Sequence, residues 1–175
     1  MEGKTYITSN MQLGRPSAIG KWKRPFKNVD EMTETLIKNW NETVTDRDIV
    51  YHLGNFAWDP KTAYDSVVAL KGREIYFIQA ETDAPLIELW EKDMLPNKVK
   101  IIDDICFDSE KDRVYSYWPL KEWKNKSKGA YNIIGYPNRK YKTNPKNKVI
   151  NCSVEQCNYK PQDLESILGL LNEIG

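Results

Sequence analysis

Histidine is almost absent: His52 stands alone among 175 residues. A single imidazole cannot furnish a metal centre that needs several. Cysteine is scarce too, and Cys106, Cys152 and Cys157 form no CxxC pair. An odd number of thiols argues against the disulfide framework of a secreted domain, so reduced thiols in the cytoplasm are the expectation. No apolar run nears the ~20 residues of a membrane-spanning helix. The N-terminus lacks the apolar heart of a signal peptide. Net charge is only +1, so no overall field draws the chain to nucleic acid. Internal repeats, low-complexity tracts and linkers are missing as well.

What is present is ordinary for a globular domain, with 40% hydrophobic and 29% charged residues. The length fits a single domain over residues 1–175. Residues 50–58, Val-Tyr-His-Leu-Gly-Asn-Phe-Ala-Trp, are the centre of the reading. A short apolar run signals a buried strand, and Gly54 with Asn55 turns it into a tight loop. Side chains at such strand ends line the crevice where open α/β sheets do their chemistry.

The remaining elements follow by pattern. A first strand is predicted at 5–8, with strands at 49–53, 74–79 and 99–102. Helices are predicted from Asn28 or Asp30 to about Trp40, then over 61–70 and 84–92. Further strands are predicted at 105–107, 114–117, 131–134 and 149–152, and a last helix over 164–171. Helices and strands alternate first and strands dominate later, which predicts an α/β sandwich.

Several stretches carry a family resemblance: Thr8-Ser9, Arg24-Pro25-Phe26, Leu36-Ile37, Tyr51-His52-Leu53-Gly54, Leu70-x-Gly72, Pro119, Gly135 and Asn158-Tyr159-x-Pro161. In order and spacing the chain resembles small calcineurin-like metallophosphoesterases, a type common in bacteria and their phages. The resemblance implies a calcineurin-like fold, a central two-layer β-sandwich flanked by helices. It also implies where metal ligands would stand. The family's Asp-x-His is Asn10-Met11-Gln12 here, and its Gly-Asp is Gly54-Asn55. Its Gly-Asn-His-Asp is Ala80-Glu81-Thr82-Asp83, which keeps only the last residue. Its later histidines fall at Tyr117, Tyr136 and Asn138. Paired metal ions need carboxylates and imidazoles to activate water and steady a phosphoryl transition state. Amides, a threonine and phenols with pKa near ~10 do not supply them.

The resemblance therefore implies a pseudoenzyme, with no cofactor and no metal, acting through a macromolecular partner. If the gene is carried by a phage, that partner is a host factor met in the host cytoplasm. Two alternatives remain open at this point. One is non-hydrolytic binding of a nucleotide or other phosphorylated ligand in the old cleft. The other is a phosphoesterase with a rebuilt metal site, for which Glu81 and Asp83 are the available carboxylates. Asp83 reads first as a loop or helix-cap carboxylate, and His52 as a scaffold residue. From Lys121 to Lys148 there are nine basic residues, Arg139 among them, and Glu122 is the one acid. A solvated loop face explains such a run. The sharper expectation is a contact surface for an acidic partner, built from Lys124, Lys126, Lys128 and Lys142 with Trp118 and Trp123.

Overall fold

Alternation along the first strands serves two cores at once. The computed structural model describes residues 3–138 and 140–174. Strands β1 (Thr5–Thr8), β2 (Ile49–His52), β3 (Glu74–Ile78) and β4 (Val99–Ile102) run parallel in the order β4-β3-β2-β1. Tyr6, Val50, Ile75 and Val99 sit in one register row and point to one face. Neighbouring positions point the other way, as the pleat requires, so Ile7, Leu53 and Ile78 enter a second core.

The first face is covered by α1 (Ser17–Trp22), α2 (Val29–Thr43), α3 (Pro60–Ala69) and α4 (Ala84–Glu91). In α2 the buried Met32, Leu36 and Trp40 recur every fourth residue, which puts them on one stripe. Of the two predicted caps it is Asn28 that works, its Oδ1 accepting from Glu31 N–H at 2.8 Å. Helix α3 starts on Asp59, which accepts from Thr62 N–H, with Pro60 in the first turn.

The second face meets another sheet, β5 (Ile105–Asp108), β6 (Arg113–Ser116), β7 (Tyr131–Ile134) and β8 (Val149–Asn151), in that order. β5 and β6 form an antiparallel hairpin, and the other pairings are parallel. Tyr115, Ile133 and Ile150 from this sheet pack against Ile7, Leu53 and Ile78. The Tyr51 ring lies between Tyr76 and Tyr115, with centroids 4.9 and 4.4 Å away. Strand β9 (Gln162–Asp163) adds antiparallel to β1, and α5 (Leu164–Ile174) brings Leu164, Leu168 and Leu171 into the inter-sheet core. No helix among the described residues is long and apolar enough to cross a membrane.

The fold is thus mixed α/β, two sheets flanked by helices. Most predicted and observed element ends differ by a residue or so, the usual extent of fraying, but α2 and α5 each run three residues further than predicted. One shift matters: β6 stops at Ser116, which leaves Tyr117 in the following loop.

Candidate functional site

The loops leaving β1, β2, β3, β6 and β7 gather at one end of the two sheets. They hold each other closely. Ser9 Oγ donates to Leu53 O and Gly135 O, at 3.0 and 2.8 Å. This joins the loop after β1 to both sheets. A Cβ at Gly135 would stand 2.2 Å from that Oγ and 2.3 Å from Leu53 O. Gly54, at φ 89°, is similarly confined by Ala80. Asn10, Gln12 and Asn55 themselves have φ of 58°, 55° and 58°. Asparagine enters this left-handed region more readily than most residues, and a buried glutamine there is a strained choice.

The side chains at this end bond to one another. Gln12 Nε2 donates to Asn10 Oδ1 at 2.9 Å, and Arg15 Nη1 to Gln12 Oε1 at 2.9 Å. Asn10 Nδ2 donates to Glu155 Oε1 at 3.0 Å. Thr82 donates to Asn55 Oδ1 through both its hydroxyl and its N–H, at 2.8 and 3.1 Å. Burial holds the Tyr117 phenol above its ordinary pKa, so it stays protonated. The Asn55 side chain stands near that hydroxyl and favours its ionised form. Tyr136 packs edge-on to Tyr117 at 5.8 Å and against Trp118 at 4.7 Å. Asn138 borders a hollow with Tyr136 and Glu155.

The structure thus brings the predicted positions Asn10, Gln12, Asn55, Thr82, Tyr117, Tyr136 and Asn138 to one end of the molecule. Glu81 is exposed beside them and adds a negative field at Tyr117.

Asp83 is a loop carboxylate, at the N-cap position of α4 but with its side chain turned to other partners. Its carbonyl accepts from Leu86 and Ile87 N–H, and its side chain makes no capping bond to α4. Its carboxylate accepts the N–H groups of Asn55, Phe56 and Ala80 at 2.8, 2.8 and 2.9 Å. It therefore ties the loop after β2 to the loop after β3. Burial pushes its pKa up while the three N–H groups pull against that. With both oxygens engaged, pairing with Glu81 around a cation is unsupported. Among the described residues no group of three or more His, Cys, Asp or Glu side chains is arranged to hold a metal ion.

His52 is fully buried, with neither ring nitrogen bonded, against Phe56 and Phe77 at 5.2 and 5.3 Å. Burial lowers its pKa to about 3, so it is a neutral packing residue at ordinary pH.

Sequence reasoning missed the ion pair beneath this network. Arg24, whose side chain is fully buried, donates through Nε and Nη2 to Glu155 Oε1 at 3.0 and 2.5 Å. It also donates to Met11 O and Asn10 O. The guanidinium underpins the loop after β1 and supplies a buried cation there. Arg24 was visible only as part of a turn, and nothing marked Glu155, 131 residues away.

The six expected contact residues do not share one surface. Lys124 Nζ lies 4.3 Å over the Phe107 ring, and Asn125 Nδ2 donates to Asp112 at 2.6 Å. Lys128 borders a hollow with Lys111 and Asp112. These contacts turn part of the basic segment onto the acidic β5–β6 hairpin. Lys126 lies over Trp123 and pairs with Glu122 at 3.3 Å, facing a hollow of about 610 Å³. Lys142 borders a different hollow, and Trp118 stands at the aromatic rim, 44% exposed. Arg139 lies outside the described residues.

No protein-family model matches the chain. The crystal structure of a protein of unknown function from Aquifex aeolicus, AQ665, shares the fold with a TM-score of 0.71. The two chains are 20% identical, over 97% of this one and 100% of that one. The uncharacterized protein MJ1445 of Methanocaldococcus jannaschii is 33% identical over 172 residues, 97% of this chain and 92% of its own length. The chain belongs to the family of that archaeal protein.

Proposed function

We propose that this protein is a calcineurin-like metallophosphoesterase scaffold without catalysis, a pseudoenzyme that acts by binding a macromolecular partner. One observation carries the reading. Of the positions that the resemblance assigns to metal ligands and the catalytic acid, all but the exposed Glu81 are neutral side chains, and several bond to each other: Gln12 to Asn10, Thr82 to Asn55. Such a set fills its own hydrogen-bonding capacity. It offers two metal ions neither the negative charge nor the imidazoles they need.

What remains useful at this end is a rigid rim rich in aromatic and arginine side chains. Arg15 lies 4.3 Å over the Trp58 ring, and Trp118 and Tyr136 stand together. Trp, Tyr and Arg are the residues that dominate binding energy at protein interfaces.

The test pairs chemistry with binding. Hydrolysis of an aryl phosphodiester should equal the buffer blank with and without Mn²⁺, and elemental analysis should find no stoichiometric Mn, Fe, Zn or Ni. Partner recovery should fall in a folded Trp58→Ala, Trp118→Ala variant. Metal-dependent hydrolysis abolished by Asn55→Ala would overturn the reading.

A further inference from the structure

Strand β4 closes the first sheet and leaves its outer side without a neighbouring strand. Ile75 N–H donates to Lys98 O, and Gln79 N–H to Ile102 O. In a parallel ladder this alternation turns the even-numbered residues of β4 toward β3 and the odd-numbered ones outward. The N–H and C=O groups of Ile101 and Asp103 therefore point away from the sheet. No loop or turn among the described residues bonds to them. An open edge of this kind is a template for another strand.

Edges are commonly guarded by charge, and here the order of the charges is informative. The edge reads Lys98-Val99-Lys100-Ile101-Ile102-Asp103-Asp104, basic at one end, apolar in the middle and acidic at the other. Lys98 is engaged with Leu70 O. Lys100, Asp103 and Asp104 are in no ion pair among the described residues. An edge of a single sign repels its own copy. An edge whose sign reverses along its length attracts that copy when the two strands run antiparallel, as they do about a two-fold axis perpendicular to the sheet. Strand pairing alone buries less area than a stable dimer needs. The same flank adds Ile105, 48% exposed just beyond the acids, and Trp90, 40% exposed on α4, the helix that crosses from β3 to this edge.

We infer that β4 pairs antiparallel with β4 of a second copy of this chain, joining two five-stranded sheets into one. The register that uses the open groups sets Ile101 against the second copy's Asp103, with N–H to C=O bonds in both directions. Ile102 then lies on the two-fold axis. Lys100 comes opposite the second copy's Asp104, and the same contact recurs on the other side of the axis, as in any isologous interface. This pairing goes beyond the proposed pseudoenzyme function and does not depend on it.

Sedimentation velocity on the full chain tests it. At micromolar concentrations the wild type should contain a species of twice the 20.4 kDa chain mass. Lys100→Asp sets acid against acid on both sides of the axis, and Asp104→Lys sets base against base. Each should weaken the dimer by about tenfold or more. The chain carrying both changes has its opposite charges restored and should dimerise as the wild type does. A merely structural role for these side chains predicts no such recovery. A thermal midpoint near wild type shows that each variant is folded. Three outcomes overturn the assignment. The first is a wild type still monomeric at ~100 µM, where even weak dimers are populated; the edge then belongs to an unrelated strand or to none. The others are single reversals that leave the dimer intact, and a folded double variant no more dimeric than the single ones.

Discussion

At the residue scale the two most informative side chains are a neutral histidine and a neutral asparagine. His52 has no hydrogen bond and a pKa lowered to about 3, whereas an unfolded chain would titrate near 6.5. Between those values the unfolded state binds the proton and the folded state does not. Stability from this group is therefore complete above pH ~6.5 and drains away as the pH falls toward ~3. At about 1.4 kcal/mol per pH unit the loss reaches several kcal/mol. His52→Leu removes the titration and keeps an apolar fill. Urea denaturation at neutral pH and near pH 4 should show a much smaller acid loss for the variant than for the wild type.

Asn10 tests the opposite sign. Its Nδ2 donates to Glu155 Oε1, so Asn10→Asp would set two carboxylates against each other in a buried place. Adding Asn55→Asp puts a second charge where Oδ1 now accepts from Thr82. Without metal the double variant should lose a few kcal/mol at neutral pH. The new carboxyls would have raised folded-state pKa values, so the loss should be absent in acid and grow as the pH rises past their unfolded value near ~4. Equal stability of variant and wild type at neutral pH would mean that water enters the cleft freely.

At the element scale the loops decide more than the strands. Gly135 sits where Ser9 and Leu53 O approach it within 2.2 and 2.3 Å of a would-be Cβ. Backbone cannot yield there as a flexible side-chain tip would. Gly135→Ala should part the loop after β7 from the first sheet and destabilise by about 1–3 kcal/mol or more. Gly169, in the body of α5, has nothing within 4 Å of a Cβ. Gly169→Ala should instead stabilise by about 0.4–1 kcal/mol, because alanine has less conformational freedom to lose. Chemical denaturation of the pair separates close approach from chain entropy.

The same elements show what a sequence can and cannot disclose. The four parallel strands and helices α2, α3 and α4 were legible because their apolar spacing and caps are local properties. Helix α1 escaped because it is one turn and a half, contains Gly20, and has no side-chain cap at Pro16. β9 is two residues long, and only its pairing with β1 defines it. The gathering of Asn10, Asn55, Thr82 and Tyr117 was anticipated through resemblance, not through periodicity. The partners of Asp83 and the Arg24–Glu155 pair were not foreseen for one reason. They are backbone N–H groups or side chains far along the chain, which no spacing rule encodes.

At the scale of the whole molecule, charge is arranged more locally than composition implies. The acids of the β5–β6 hairpin and the bases that follow lie in contact, through Asn125–Asp112 and the hollow shared by Lys128 and Asp112. The four lysines Lys124, Lys126, Lys128 and Lys142 thus separate into two pairs with different surroundings. Lys124 and Lys128 face the chain's own hairpin, whereas Lys126 and Lys142 border open hollows. Reversal of the first pair should lower stability slightly, by about 0.5–1 kcal/mol, as surface contacts of this kind do. It should leave partner recovery unchanged. Reversal of the second pair should cost a similar amount, about 0.5–1 kcal/mol, because Lys126 pairs with Glu122 and lies over Trp123, but it should also slow association with an acidic partner. That slowing should fade as salt rises, since exposed charges are screened beyond ~8–10 Å. Comparing Lys124→Glu, Lys128→Glu with Lys126→Glu, Lys142→Glu therefore separates fold electrostatics from steering. If both pairs leave recovery untouched at low and high salt, the partner does not use the basic segment. Its contact then moves to the rim of Arg15, Trp58, Trp118 and Tyr136, where affinity would come from buried aromatic area and depend little on salt.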